Sequence, residues 1–284
     1  MSIPGTVSFN IHRVDNSSLE KQSDTIAIEE PLEIVIKHYI DGAWIEEPLM
    51  VTMRTPGDDL SLIKGLLFSE GIISSIDEID DISKFGSNTS QHNVDNSLMV
   101  TLNQKNQVSL SNLKRHFTVN SSCGVCGKGT LNAIEIAFEP QITINKPCIN
   151  FDLIPTLPKL LNNAQAQFAQ TGGVHASALF NTNGDLLHLA EDVGRHNALD
   201  KLIGYCRANS ILKPIEQFVV CSGRISFDII QKILMSRIGM VIGIGAPSSL
   251  AIDLAKKFDI TLVGFIKKHK YNIYNGEWRI TSIS

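Results

Sequence analysis

Between positions 175 and 265 the hydrophobic period switches repeatedly, and this alternation limits the fold more than any other feature. Residues 175–180 read as a strand, Thr182-Asn183-Gly184-Asp185 as a hairpin turn, and residues 186–190 as the returning strand. Residues 197–208 have helical spacing, 218–222 form a strand, 227–237 a helix, 240–244 a strand, 248–257 a helix and 260–265 a strand. Strands that alternate with helices predict a sheet covered on both faces. Upstream, residues 153–170 read as mainly helical, with Pro155 and Pro158 confining the regular part to the later positions.

The first half has a different grammar. Residues 1–29 are polar and weakly patterned and are expected to form a flexible arm. Residues 32–40 alternate with β-branched side chains and end in Asp41-Gly42, a hairpin pair, after which residues 50–54 continue as a strand. Leu60, Ile63, Leu66 and Leu67 then fall at helical spacing, with Asp58 or Asp59 as the expected cap and Gly71 as the stop. Residues 98–102 and 108–110 read as two further strands, and the polar stretch 88–97 as a loop. The expected division is an arm over 1–29, a small α+β domain over 30–147 ending with a Cys-x-x-Cys segment, and an α/β domain over 148–284.

At 284 residues, with 43 % hydrophobic and 19 % charged side chains, the chain has ample material for a core. Its formal net charge of -4 gives no reason to expect nonspecific nucleic-acid binding. No apolar run is long enough to span a bilayer, and Met1-Ser-Ile-Pro-Gly lacks the regions of a secretory signal, so a cytoplasmic protein without a membrane partner is expected.

That placement governs the reading of the five cysteines. An odd number in a reducing compartment argues against a disulfide framework. Cys206 lies inside a helical pattern and Cys221 ends an apolar run, so both read as small core residues, while Cys148 carries no signal. Cys123 and Cys126 differ, because in Ser122-Cys123-Gly124-Val125-Cys126-Gly127-Lys128 two thiols are close enough to share a metal, form a disulfide or assist one another in sulfur transfer. Gly124 and Gly127 clear space for a partner's sulfur, and Lys128 favours the thiolate, the species that attacks a persulfide. A structural zinc site would need two more ligands, and no second such pair exists; completion would fall to residues such as Cys148, His116 or His175. A redox pair also remains open.

Three loops follow successive strands. Glu191-Asp192-Val193-Gly194-Arg195-His196-Asn197 is dense in polar groups; it reads either as a capped connection served by Asp192 or Asn197, or as part of a site. Ser222-Gly223-Arg224 and Gly245-Ala246-Pro247-Ser248 each open a helix in a form suited to anions. If the strands are parallel, the loops share one sheet edge, where a phosphate-rich ligand such as a nucleotide would bind. His175, Arg195, His196, Ser222, Gly223 and Arg224 are therefore candidate ligand residues. Lys267-Lys268-His269-Lys270, expected after the last strand, reads as either a solvated turn or a basic lid. His175-Ala176-Ser177 looks like half of a zinc-deaminase motif, but that chemistry needs a Glu where Ser177 stands and a later cysteine pair.

Taken in order, Arg54-Thr55-Pro56-Gly57-Asp58, Glu70-Gly71, Cys123-Gly-Val-Cys126-Gly127, Gly172-Gly173-Val174-His175-Ala176, the 191–197 loop, Ser222-Gly223-Arg224 and Gly245-Ala246-Pro247-Ser248 resemble the FdhD family of formate dehydrogenase accessory proteins over residues 34–274. The resemblance implies a sulfur carrier that accepts sulfur from a cysteine desulfurase and sulfurates the molybdenum (or tungsten) bis(molybdopterin guanine dinucleotide) cofactor before it enters formate dehydrogenase. It implies Cys123 as the persulfide carrier, Cys126 as the assisting thiol, and Phe265, Ile266, Lys267, Lys268, His269 and Lys270 as cofactor-binding residues. It further implies a homodimer, no metal of its own, and a second domain with a cytidine-deaminase-like three-layer α/β/α fold that lacks deaminase catalysis.

Overall fold

The computed structural model describes residues 4–16, 18–86, 90, 92, 94–104 and 147–282. Cys123, Cys126, Lys128, His116 and the strand expected at 108–110 lie outside the described residues.

Residues 6–27, expected as part of a weakly patterned, flexible arm, carry strands β1 (Thr6–Asp15) and β2 (Ser18–Ala27), paired antiparallel through ten rungs without a register shift. Most of their side chains face water, so no apolar alternation marks them in the sequence; backbone pairing alone defines the ribbon. Its base is held where Ile28 N donates to Gly5 O at 2.8 Å and Gln167 Nε2 to Pro4 O at 3.0 Å.

A four-stranded sheet follows in the order β4-β3-β6-β5, formed by β3 (Glu30–Ile40), β4 (Ala43–Arg54), β5 (Ile79–Lys84) and β6 (Ser97–Leu102). Asp41 (φ 51°) and Gly42 (φ 88°) make the hairpin turn that the pair predicts. Helix α1 (Asp59–Ser69) buries Leu62, Ile63, Leu66 and Leu67 against the side of the sheet that carries Leu32, Ile34 and Ile36. It ends as expected at Gly71 (φ 70°), where Gly71 N bonds Phe68 O and Ile72 N bonds Leu67 O. Its start differs from expectation: Asp58 makes no capping bond, and the Asp59 carboxylate is taken by Arg54. Arg54 is fully buried; its Nε and Nη2 grip Asp59 at 3.0 and 3.1 Å, and its remaining donors reach the carbonyls of Glu30, Pro31 and Asp95 and the Asn96 side chain.

The second half is built on a six-stranded sheet of order β13-β12-β11-β10-β8-β9: β8 (His175–Asn181), β9 (Leu186–Asp192), β10 (Gln217–Cys221), β11 (Met240–Gly243), β12 (Thr261–Lys267) and β13 (Lys270–Asn275). Strands β10, β11 and β12 are parallel, and each remaining neighbour pair is antiparallel. Alternate side chains go to opposite faces. Leu179, Val219, Cys221, Val241 and Leu262 meet the helices α4 (Arg195–Ala208), α5 (Phe227–Met235) and α6 (Ser249–Lys257). Phe180, Phe218, Val220, Ile242 and Val263 face the segment containing β7 (Ile149–Asn150) and α2 (Leu157–Ala164), which is followed by α3 (Ala166–Thr171); β7 itself pairs with β14 (Ile280–Thr281). The mixed α/β class and the double covering of this sheet agree with the alternation seen in the sequence.

Helices α1 and α4 join the halves. A Cβ on Gly65 would lie 1.8 Å from Asp200 O, and one on Gly204 would lie 1.9 Å from Ser61 O, so the helices touch backbone to backbone. Beside this crossing Lys232 Nζ reaches Glu70 Oε1 (2.8 Å), Asp200 Oδ1 (3.0 Å) and Ser69 Oγ (2.8 Å), which ties α1, α4 and α5 together. Burial pushes the Asp200 carboxyl up, and the facing carboxylates push the Lys232 ammonium up; with Lys232 in contact, the charged pair is the state the geometry supports. One buried cluster runs without a break from Leu32 in β3 to Leu262 in β12.

Candidate functional site

The parallel run of β10, β11 and β12 puts the loops that follow them on one edge. Antiparallel β8 brings its first residues to the same edge: Ala176 N donates to Ser222 Oγ, and Ser222 N to Ala176 O, each at 2.9 Å. The loops are then stitched in series, with Gly245 N bonded to Gly223 O (3.2 Å) and Phe265 N to Gly245 O (3.0 Å). A Cβ on Gly245 would sit 2.9 Å from Gly223 O, so only glycine permits this approach.

His175, Arg195 and Gly223 come together, since a Cβ on Gly223 would lie 3.3 Å from His175 Nδ1 and 3.6 Å from Arg195 Cδ. Arg195 and His196 belong to the first turn of α4 rather than to a loop, and the N-cap position, Gly194, offers no side chain to its free N–H groups. The Arg195 Nε is buried without a hydrogen-bond partner. His196 Nε2 lies 3.2 Å from Ser226 Oγ at the start of α5 and 3.7 Å from Asp228 Oδ2. Burial and then Arg195 push its imidazole down to about 4, and the same two causes lower His175. Both rings are therefore neutral near pH 7 and act as hydrogen-bonding groups, not as fixed charges. Arg224 is exposed on the next loop. Ser248 caps α6, its Oγ accepting from Ala251 N at 3.2 Å.

At the far side, β12 does not end the sheet, as expected, but returns through β13, so that Lys268 and His269 form the hairpin turn between the paired Lys267 and Lys270. Phe265 takes φ 61°, a left-handed conformation that an aromatic residue seldom adopts, at an irregularity in the β12–β13 pairing. Its ring is about half exposed, with Lys267 Nζ 4.8 Å from the centroid. Ile266 points the other way, into the core beneath the sheet. Lys267, Lys268, His269 and Lys270 are all exposed.

Other motif residues serve as scaffold. The Glu191 carboxylate accepts from Gln167 N and Phe168 N, both at 2.9 Å, and so holds the start of α3. Asp192 is fully buried and binds the backbone of Thr55 and Gly194. Lys201, which no motif singled out, is buried against Asp192 at 2.7 Å. Ser177 is buried with its Oγ 3.7 Å from Cys221 Sγ, so the position a deaminase gives to a proton shuttle is part of the core. Among the described residues no three His, Cys, Asp or Glu side chains gather as a metal site. No described helix is long and apolar enough to cross a membrane.

The model of the FdhD/NarQ family matches residues 27–281. The chain belongs to the FdhD/NarQ family. Its curated relatives within that family include a protein named Sulfur carrier protein FdhD from Streptomyces avermitilis, 40 % identical over 94 % of this chain and 93 % of the relative. One of the same name from Sulfolobus acidocaldarius is 38 % identical over 95 % of this chain and 96 % of the relative. A crystal structure described as a formate dehydrogenase accessory protein from Desulfotalea psychrophila superposes with a TM-score of 0.69 at 22 % identity, covering 98 % of this chain and all of that one, which shows the common fold.

Proposed function

We propose that this chain is a sulfur carrier for formate dehydrogenase maturation, with Cys123 as the sulfur-bearing residue. The match to relatives named as sulfur carriers, along nearly the whole of both chains, carries this reading. The Cys123 thiolate attacks the outer sulfur of a desulfurase persulfide; a new S–S bond forms, the old one breaks, and the desulfurase cysteine leaves as thiolate. Attack by Cys126 on the inner sulfur of the Cys123 persulfide releases hydrosulfide and leaves a disulfide, so the two thiols supply the electrons and a cellular thiol later restores them. The hydrosulfide goes to molybdenum bis(molybdopterin guanine dinucleotide), the bound substrate. Its phosphates suit the edge formed by Arg195, Arg224, the uncapped start of α4 and the Lys267–Lys270 hairpin, with Phe265 offering a ring for a flat heterocycle. The setting is a cytoplasmic homodimer that meets a cysteine desulfurase and formate dehydrogenase in turn, built on a deaminase-like second domain without deaminase chemistry.

The test is mass spectrometry of the intact chain after incubation with a cysteine desulfurase and cysteine. One added sulfur on Cys123, absent in Cys123→Ala, is expected. Fully sulfurated formate dehydrogenase in cells carrying only Cys123→Ala overturns the proposal. If GDP binding and maturation both survive loss of Cys123 and Cys126, the chain carries the cofactor without handling sulfur.

A further inference from the structure

Behind the ligand edge lies a buried polar joint. The Asp192 carboxylate accepts from Thr55 N (3.1 Å) and Lys201 Nζ (2.7 Å) on one oxygen, and from Gly194 N (2.8 Å) and Asn197 Nδ2 (3.3 Å) on the other. Lys201 also donates to Thr55 O at 2.8 Å and Glu191 O at 3.3 Å. Thr55 Oγ1 in turn accepts from Val193 N at 3.0 Å. The joint links the end of β4 to the turn between β9 and α4.

Its position matters for charge. Asp192 stands opposite His175 in the β8–β9 pairing and three residues before Arg195. His175 feels both, Arg195 disfavouring its protonation and Asp192 favouring it. A buried carboxylate without a counter-ion takes a proton or recruits a nearby cation. The cation that follows Asp192 in the chain is Arg195, yet the Asp192 ion pair goes to Lys201, and the Arg195 Nε is left without a partner.

We infer that Lys201 is a positioning residue: by neutralising Asp192 and locking it to Thr55, it keeps that carboxylate away from Arg195 and so leaves the guanidinium available for an anionic group of a phosphate-bearing ligand. This rests on the reading of the sheet edge as the seat of a phosphate-bearing substrate. The N-terminal sheet thereby takes part in ligand binding through the Thr55 backbone, without touching the ligand.

The experiment uses the full chain, with GDP as probe in calorimetric titrations and His175 followed by NMR. Lys201→Met removes the charge and keeps most of the stem. It should weaken GDP binding by about tenfold or more, the equivalent of one strong charge-assisted contact, and move the His175 titration upward. Adding Asp192→Asn to Lys201→Met removes the competing carboxylate and should restore most of the affinity and return the His175 titration. A double variant as weak as the single one overturns the inference, because a residue that merely props the fold is not rescued by losing a second buried group. An unchanged single variant overturns it too. If Lys201→Met fails to fold, Asp192→Asn alone decides: GDP affinity should hold or rise while the His175 titration moves down, and a loss of affinity refutes the inference. If the wild-type chain binds no GDP, the reading of the edge fails, and the His175 titrations still show whether Lys201 controls the Asp192 charge.

Discussion

Replacing Gly204 with alanine tests the backbone contact between α1 and α4. The new methyl would sit 1.9 Å from Ser61 O and 2.6 Å from Gly65 N. Unstrained non-bonded contacts lie near 3.5 Å, so the helices must part by roughly 1.5 Å. Overpacking costs about 1–3 kcal/mol, and the upper end applies here because both obstacles are backbone atoms with no rotamer to yield. Alanine returns about 1 kcal/mol through helix propensity. The net loss is about 2 kcal/mol or more, which for a chain of this size lowers the melting temperature by about 3 °C or more. Calorimetric or circular-dichroism melts measure it directly. Gly173→Ala is the control, since a Cβ there has its nearest neighbour at 3.8 Å and should be close to neutral. A Gly204→Ala chain that melts at or above the wild-type temperature would refute the close crossing.

Two further predictions follow from burial. The folded pKa of His196 is lowered to about 4, so as pH falls below about 6.5 the unfolded chain takes the proton first and stability drops until about pH 4. With the His196 side chain 35 % exposed, screening limits the loss to about 1–2 kcal/mol; urea midpoints across that range should show a slope that His196→Gln flattens, though the lowered His175 leaves part of it. Burial pushes the thiols of Cys206 and Cys221 up to about 12 and about 11, so brief alkylation of the folded chain, mapped by mass spectrometry, should modify exposed Cys148 and spare both. Equal labelling of all three would show that the cluster between the sheet and helices α4, α5 and α6 opens freely.

The sequence made legible those elements that bury an apolar face. The β–α alternation, the Asp41-Gly42 turn and the end of α1 at Gly71 all follow from local pattern. Three other helices end in the same way without glycine: Ser210, Arg237 and Asp259 take φ 54°, 58° and 53°. What they share with Gly71 is the isoleucine that follows, at 72, 211, 238 and 260, whose N–H bonds back to Leu67, Cys206, Ile233 and Ala255 respectively. The stop signal was thus an apolar residue rather than a flexible one. The β1–β2 ribbon was illegible because it buries little, and the β12–β13 hairpin because Lys268 supplies a positive φ (50°) without glycine or asparagine. At the site, the sequence pointed to a common edge for three loops; parallel β10 and β11 bring two of them there, and the 191–197 loop arrives through the antiparallel β8–β9 pairing, which sets Asp192 opposite His175. It could not show which polar residues of the 191–197 loop face a ligand and which face inward. Asp192 and Asn197 find their partners at Thr55 and Met53, far along the chain, and Lys201 carries no local mark of its burial.

The crossing of α1 and α4 also sets an order of events for a nascent chain. Gly204 is made about 140 positions after Gly65, which at about 5–20 residues per second is a delay of roughly 7–28 s. Throughout that interval the small sheet can cover one side of α1, but the side bearing Gly65 has no helix to meet. The ribosome therefore presents an unfinished surface early and completes it late, and the first half of this protein depends on the second to become native.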